Sequence, residues 1–163
     1  MITVKARRIS PDVMEGLGKA VCISADTKPD AQTDIQTFYG QLAIMNCEDA
    51  IQIGVCVAKN RKYVVDEMER HANTSELLFA IKGDFVTAVT SSAEVDGKLC
   101  PDLDKVMAVR VNQGEGIFFN EGVWHWTPYA ITPTCDVLVI FKKDTPKNDF
   151  ISCRLEKTIT MEL

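Results

Sequence analysis

The chain has 163 residues, 18 Lys and Arg against 23 Asp and Glu, a formal net charge of -5, and 46% hydrophobic residues. That length suits one domain spanning residues 1–163 with a substantial core, and the acidic balance leaves no basic surplus to neutralise nucleic-acid phosphates. No apolar run reaches the length of a membrane span, and Met1 to Arg8 lacks a following secretory apolar region, so a cytoplasmic protein with no membrane partner is expected.

Ser10-Pro11-Asp12 ahead of Val13, Met14 and Leu17 reads as a short N-terminal helix capped by Ser10 and stopped by Gly16 and Gly18. Thr27 to Gln32 reads as a surface connection, and Ile35 to Ile44 as extended chain. The clearest alternation is Ile51, Ile53, Val55 and Val57 against the smaller or more polar Gln52, Gly54, Cys56 and Ala58, a strand with one heavier face. Glu76 to Ile81 and Phe85 to Thr90 are β-prone runs joined by a tight Lys82-Gly83-Asp84 turn. Ser91 to Asp104 is a polar excursion. Val106 to Val111, Gly116 to Phe119 and Val123 to Thr127 supply further strands, Asp136 to Phe141 a buried one, Asp144 to Asp149 a turn, and Ile151 to Ile159 an edge strand. So many short strands predict an all-β sandwich or barrel. The six cysteines are scattered without a CxxC pair, which points to reduced, mostly buried thiols.

The only two histidines, His71 and His125, each sit in a stretch patterned with acidic residues or glycines. Glu69 and His71 are two apart and share a face of an extended strand, with Arg70 on the other. After a turn near Ala72 to Ser75, Glu76 can face back toward His71. Gly114, Asn120, Gly122 and His125 suggest a strand, a tight turn and a return that delivers His125. His71, His125 and Glu76, with Glu69 as a fourth group, offer imidazole and carboxylate donors suited to Zn, Mn, Fe or Ni, or to proton transfer. The plainer alternative is a pair of structural histidines hydrogen-bonded to the two glutamates with no ion.

The spacing resembles the cupin family. His71, Glu76 and Gly83 match its first motif, with Glu69 where that motif's first histidine stands. Gly114, Gly122 and His125 match the second, with Asn120 and Tyr129 replacing Pro and Asn. More narrowly, Met68-Glu69-Arg70-His71 and Gly122-Val123-Trp124-His125 are similar to the ureidoglycolate lyase family, also called ureidoglycolate hydrolase. Departures from its pattern are the residue after His71, which is not Pro, Glu76 in place of Gln, and Trp126 in place of a second histidine. The resemblance implies a cupin-like jelly-roll β-barrel, a homodimer, and elimination of urea from ureidoglycolate, a small hydroxy-acid substrate, to give glyoxylate. His71, His125 and Glu76 would be the catalytic residues, and His71, Glu76, His125 and Glu69 the ligands of a divalent metal. Two rivals are a metal-dependent cupin isomerase or dioxygenase and a non-catalytic small-molecule binding module. For the substrate carboxylate, Arg70 points away by strand alternation, which leaves Lys59, Arg61 and Lys82 unplaced. By the same alternation Trp124 and Trp126 should lie opposite His125.

Overall fold

A computed structural model describes residues 1–163. In chain order the strands are β1 (Ile2–Arg8), β2 (Gly18–Val21), β3 (Ala31–Gln32), β4 (Thr37–Phe38), β5 (Ile51–Lys59), β6 (Val64–Arg70), β7 (Glu76–Lys82) and β8 (Phe85–Thr90). They continue as β9 (Ser92–Val95), β10 (Lys98–Pro101), β11 (Met107–Val111), β12 (Gly116–Phe119), β13 (Trp124–His125), β14 (Tyr129–Ala130) and β15 (Thr134–Lys142). A single helical turn, α1 (Thr145–Asn148), precedes the last strand, β16 (Ile151–Glu162).

Six strands close on themselves in the order β11, β1, β16, β6, β13, β8, with β8 returning to β11. Five others, β2, β12, β7, β15 and β5, form a second sheet. Each ring strand turns one face inward, onto a core that includes Met68, Val86, Ala88, Ala108, Trp124 and Ile159. The outer faces of β8 and β11 carry Phe85, Val89, Val109 and Val111 into a second core, shared with Leu78, Ile117, Phe119 and Val137 of the five-stranded sheet. Covered on both faces, every residue of β8 is buried; a strand in this position reads as a continuous apolar run rather than an alternating one. This is an all-β, cupin-like barrel.

The structure departs from several expectations, among them a fully buried Asp136 to Phe141, most of which is only partly buried in β15. The short N-terminal helix is absent: Ser10 Oγ accepts from Val13 N (3.3 Å) and Ser10 O from Met14 N (3.2 Å). Gly16, at φ 75°, then ends the turn before a second full turn can propagate. Val13, Met14 and Leu17 still bury their side chains in the second core. Ile35 to Ile44 contains only the two-residue β4. β16 is not an edge strand, for it pairs with β6 on one side and β1 on the other. The heavier face of β5 points outward: Ile53 is 68% and Val55 59% exposed, whereas Ala58 is buried. Finally, the cysteines are all unpaired thiols, but only Cys135 is fully buried.

The Lys82-Gly83-Asp84 turn, whose residues suggest a tight hairpin, instead carries the chain from β7 in the five-stranded sheet to β8 in the ring, and the two strands do not pair; glycine is nevertheless needed there. Gly83 has φ 76°, and a Cβ there would collide with Thr132 Oγ1 and lie 2.7 Å from the Thr134 carbonyl oxygen. Gly97, at φ 74° in the β9–β10 turn, faces open space. Gly83→Ala is therefore expected to destabilise the fold by about 2 kcal/mol or more, through steric overlap added to backbone strain, and Gly97→Ala by about 1 kcal/mol from backbone strain alone. Urea melts of the two variants check the ordering.

Candidate metal and catalytic centre

The centre lies between the ring and the five-stranded sheet. In the ring, β13 pairs with β6 so that His125 stands directly opposite Glu69, and directly opposed residues share one face of a sheet. In the facing sheet β12 pairs with β7, which sets Phe119 opposite Glu76. Phe119 stacks beneath the His125 ring with centroids 4.4 Å apart and planes 13° off parallel. His71 follows β6 by one residue, and its backbone carbonyl accepts from Gly122 N (2.7 Å), which ties the two motif stretches together.

Both imidazoles are oriented by their Nδ1 atoms. His71 Nδ1 lies 2.6 Å from the Asp149 carbonyl oxygen, and His125 Nδ1 lies 3.0 Å from that of Val123. A carbonyl can only accept, so each Nδ1 carries a hydrogen and each neutral ring presents its lone pair at Nε2. The Nε2 atoms converge on one carboxylate: Glu76 Oε2 is 2.9 Å from His125 Nε2 and 3.4 Å from His71 Nε2. Glu69 Oε1 stands 3.9 Å from His125 Nε2. His71, Glu76 and His125 are all buried.

One atom of Glu69, His71 and His125 each falls within 4.8 Å of the others. Glu76 Oε2 and His125 Nε2 are buried without a hydrogen-bond partner of acceptable geometry, despite their close approach. Unsatisfied buried acceptors and donors are costly. Two inward lone pairs and two carboxylates make a donor set that fits a divalent cation, with backbone carbonyls on the outer imidazole nitrogens as metal-site histidines commonly have.

Burial pushes the Glu76 carboxyl up, but contact with His125 and His71 outweighs it and brings it down to about 2. Burial pulls His71 down, and the contact and charge of Glu76, with the Asp149 carbonyl, more than reverse this, so its net shift is upward. Glu69 is raised, chiefly by burial, with His125 opposing. Without an ion, the Glu76 carboxylate faces the Nε2 atoms of both imidazoles.

The structure brings Glu69, His71, Glu76 and His125 into one cluster. Trp124 lies on the opposite face, in the ring core, and Arg70 lies across it with its guanidinium carbon 5.3 Å from the indole centroid. Trp126, just past the end of β13, packs partly buried against the same ring core and also borders a cavity of about 110 Å³ beside Glu69, Glu76 and His125. Sequence reasoning missed Asp149. Its carbonyl orients His71, while its carboxylate accepts from Ala72 N and Asn73 N, both at 2.8 Å. Lying 78 residues from His71, it has no local signal. Cys56, on the inward face of β5, and Thr127 also line the cavity.

The ureidoglycolate lyase profile matches residues 1–162. The chain belongs to the ureidoglycolate lyase family. No curated protein matches it significantly. Among solved structures it is similar to the oxalate decarboxylase from Bacillus subtilis at pH 4.6, at 18% identity and a TM-score of 0.44 over 66% of this chain and 24% of that one. It is also similar to the Lactobacillus farciminis oxalate decarboxylase formate complex, at 16% identity and a TM-score of 0.45 over 64% and 27%. The chain thus spans about a quarter of the length of these decarboxylases.

The shifts of Glu76 and His71 set a pH window for the chelated protein. A lowered carboxylate stabilises above its ordinary 4.5 and loses that contribution as pH falls toward 2. A raised imidazole stabilises fully below its ordinary 6.5 and loses that contribution as pH rises through its folded value. Thermal melts after chelation are expected to show the Glu76–His71 contribution whole between about pH 4.5 and 6.5, and Glu76→Gln should flatten the profile across both limbs.

Proposed function

We propose that this protein eliminates urea from ureidoglycolate and releases glyoxylate, as a cytoplasmic enzyme recovering nitrogen from allantoin in purine catabolism. The observation that carries the reading is the convergence of His71 Nε2, His125 Nε2 and Glu76 Oε2 beside a small cavity, in a chain whose family is that of the lyase. A cavity of about 110 Å³ has the liquid volume of roughly four waters, the scale of a small hydroxy acid.

The elimination requires two proton movements. A base takes the proton of the carbinol hydroxyl, the C–O bond gains its second bond, and the C–N bond breaks. The electron pair leaves with the ureido nitrogen, which takes a proton to complete urea. A neutral imidazole in this centre accepts at Nε2 because its Nδ1 is committed to a backbone carbonyl, and a protonated one donates from the same atom. In the ion-free centre His71 and His125 are thus the candidate base and acid, with Glu76 stabilising whichever is charged; a ring whose Nε2 held an ion would serve as a ligand instead of a proton carrier. Phe119 fixes the plane of His125.

His71, His125, Glu69 and Glu76 would hold a divalent ion such as Mn, Zn, Fe or Ni, which supplies positive charge to a bound carboxylate and hydroxyl and makes the latter more acidic. Glu76, a carboxylate where the family pattern has an amide, favours the rival of a metal-dependent cupin isomerase or dioxygenase. Glu76→Gln separates the two: a lyase of the usual pattern tolerates it, and an enzyme needing that carboxylate as ligand loses its ion.

We also propose that two copies pair through the outer face of the five-stranded sheet. Strand register places Ile53 beside Ile140 and Leu77, and Val55 beside Leu138 and Phe79, in rows running across β5, β15 and β7. An outward apolar surface of this extent is the kind that marks an interface.

Purified protein is expected to release urea and glyoxylate in equal amounts from racemic ureidoglycolate, to lose this on chelation, and to regain it with Mn or Ni. His125→Ala should abolish it, a fall of at least roughly a hundredfold in kcat. Binding of ureidoglycolate without turnover would instead support a binding module. In sedimentation velocity the protein should run as a dimer and Val55→Lys/Leu138→Glu as a monomer; a monomeric parent chain defeats the pairing.

A further inference from the structure

The four side chains of the centre offer an anionic substrate no cation of their own, and the carboxylates of Glu69 and Glu76 would repel one. Several basic side chains elsewhere are already engaged. Arg8 is bound to Glu115, Arg110 to Asp84 and Lys142 to Asp49, at 2.7, 3.0 and 3.0 Å, and Arg70 lies over Trp124 on the far face.

Arg61 differs from these. It forms no ion pair, and its side chain is nevertheless held. The guanidinium carbon sits 3.6 Å from the centroid of the Tyr129 ring, and Nη1 donates to the Pro128 carbonyl at 3.2 Å. Tyr129 is itself fixed, being buried with its hydroxyl donating to the Val64 carbonyl at 2.6 Å. Pro128, Thr127 and Cys56 line the same cavity as Glu69, Glu76 and His125. The charge of Arg61 is felt at Cys56, where burial raises the thiol while Thr127 and Arg61 oppose the rise. A guanidinium has five N–H donors in a planar fork. The Pro128 carbonyl uses part of that capacity and leaves the rest for an anion.

We propose that Arg61 is the carboxylate-binding residue of this site, gripping a small hydroxy acid at the cavity rim so that its carbinol and ureido groups lie toward His71, His125 and Glu76. The inference rests on the reading that the site acts on such an acid. A fork held flat on an aromatic face loses little freedom when it meets a carboxylate, and the paired contact selects for that group. Binding energy from the non-reacting end of a substrate orients the reacting end.

The test compares Arg61→Gln, which keeps a donor for the Pro128 carbonyl, with the parent protein on two substrates. One is ureidoglycolate; the other is hydroxymethylurea, which retains the carbinol and ureido groups and lacks the carboxylate. The expected result is a KM for ureidoglycolate raised roughly ten- to a hundredfold, with kcat within a few-fold and hydroxymethylurea kinetics unchanged. An unchanged KM for ureidoglycolate, or equal losses on both substrates, overturns the proposal, the second because it marks a structural role. If Arg61→Gln lowers the melting temperature, Arg61→Lys replaces it: that variant keeps the charge and should retain part of the preference for the acid. Calorimetry with glycolate separates this proposal from the lyase reading. Arg61-dependent glycolate binding in a parent protein that does not turn over ureidoglycolate leaves the carboxylate site standing and removes the lyase. Turnover whose KM ignores Arg61 does the reverse.

Discussion

Two hydrogen bonds from imidazole to backbone decide what this centre is. Because His71 and His125 each give their Nδ1 hydrogen to a carbonyl, of Asp149 and Val123, both rings turn their other nitrogen to the same point. A side-chain acceptor could rotate away or take up a proton; a backbone carbonyl in a packed wall does neither. The Val123 carbonyl is two residues from His125 and the Asp149 carbonyl 78 from His71, so one lone pair is aimed by a local turn and the other by the tertiary fold.

Burial makes each of these side chains depend on the others. Charges removed from water are stabilised only by well-directed partners, and here Glu76 Oε2 and His125 Nε2 are close without being well directed. The cluster is packed for a guest with positive charge or transferable protons. The surrounding core supports it: Phe119 braces His125 from the facing sheet, and the turn at Gly122 is bonded to the His71 carbonyl. Charge is thus concentrated on one side of the cavity at Glu69, Glu76 and His125, while Arg61 rests on Tyr129 and donates to Pro128, which lines the same cavity.

The features most legible in the sequence are local ones. The i, i+2 spacing of Glu69 and His71 and the glycine at Gly83 carry period and turn geometry, and a strand or hairpin obeys those over a few residues. Trp124 and Trp126 both pack against the ring core, as alternation suggests, yet the strand between them is two residues long and Trp126 also borders the cavity. The outward turn of Ile51, Ile53, Val55 and Val57 cannot be read from alternation, which gives two faces without saying which one is covered. Asp149 and the Pro128 carbonyl that holds Arg61 are illegible for another reason: they act through tertiary contacts across 78 and 67 residues. Ser10 does start a turn, as its residue type suggests, yet glycines six and eight residues later outweigh it.

The ring seam has a consequence for how the molecule comes to exist. β1 lies between β11 and β16, parallel to both, and joins Ile2 to Ile159 and Ala6 to Ala108. Parallel neighbours so far apart in the chain give no local nucleus, and the loop entropy for bringing them together must be met before their contacts contribute. The wall carrying Glu69 is completed only when β16 docks on β6, with Ser152 opposite Glu69. Closure of the ring is therefore expected late in folding, with the cluster of Glu69, His71, Glu76 and His125 among the last parts to acquire its geometry.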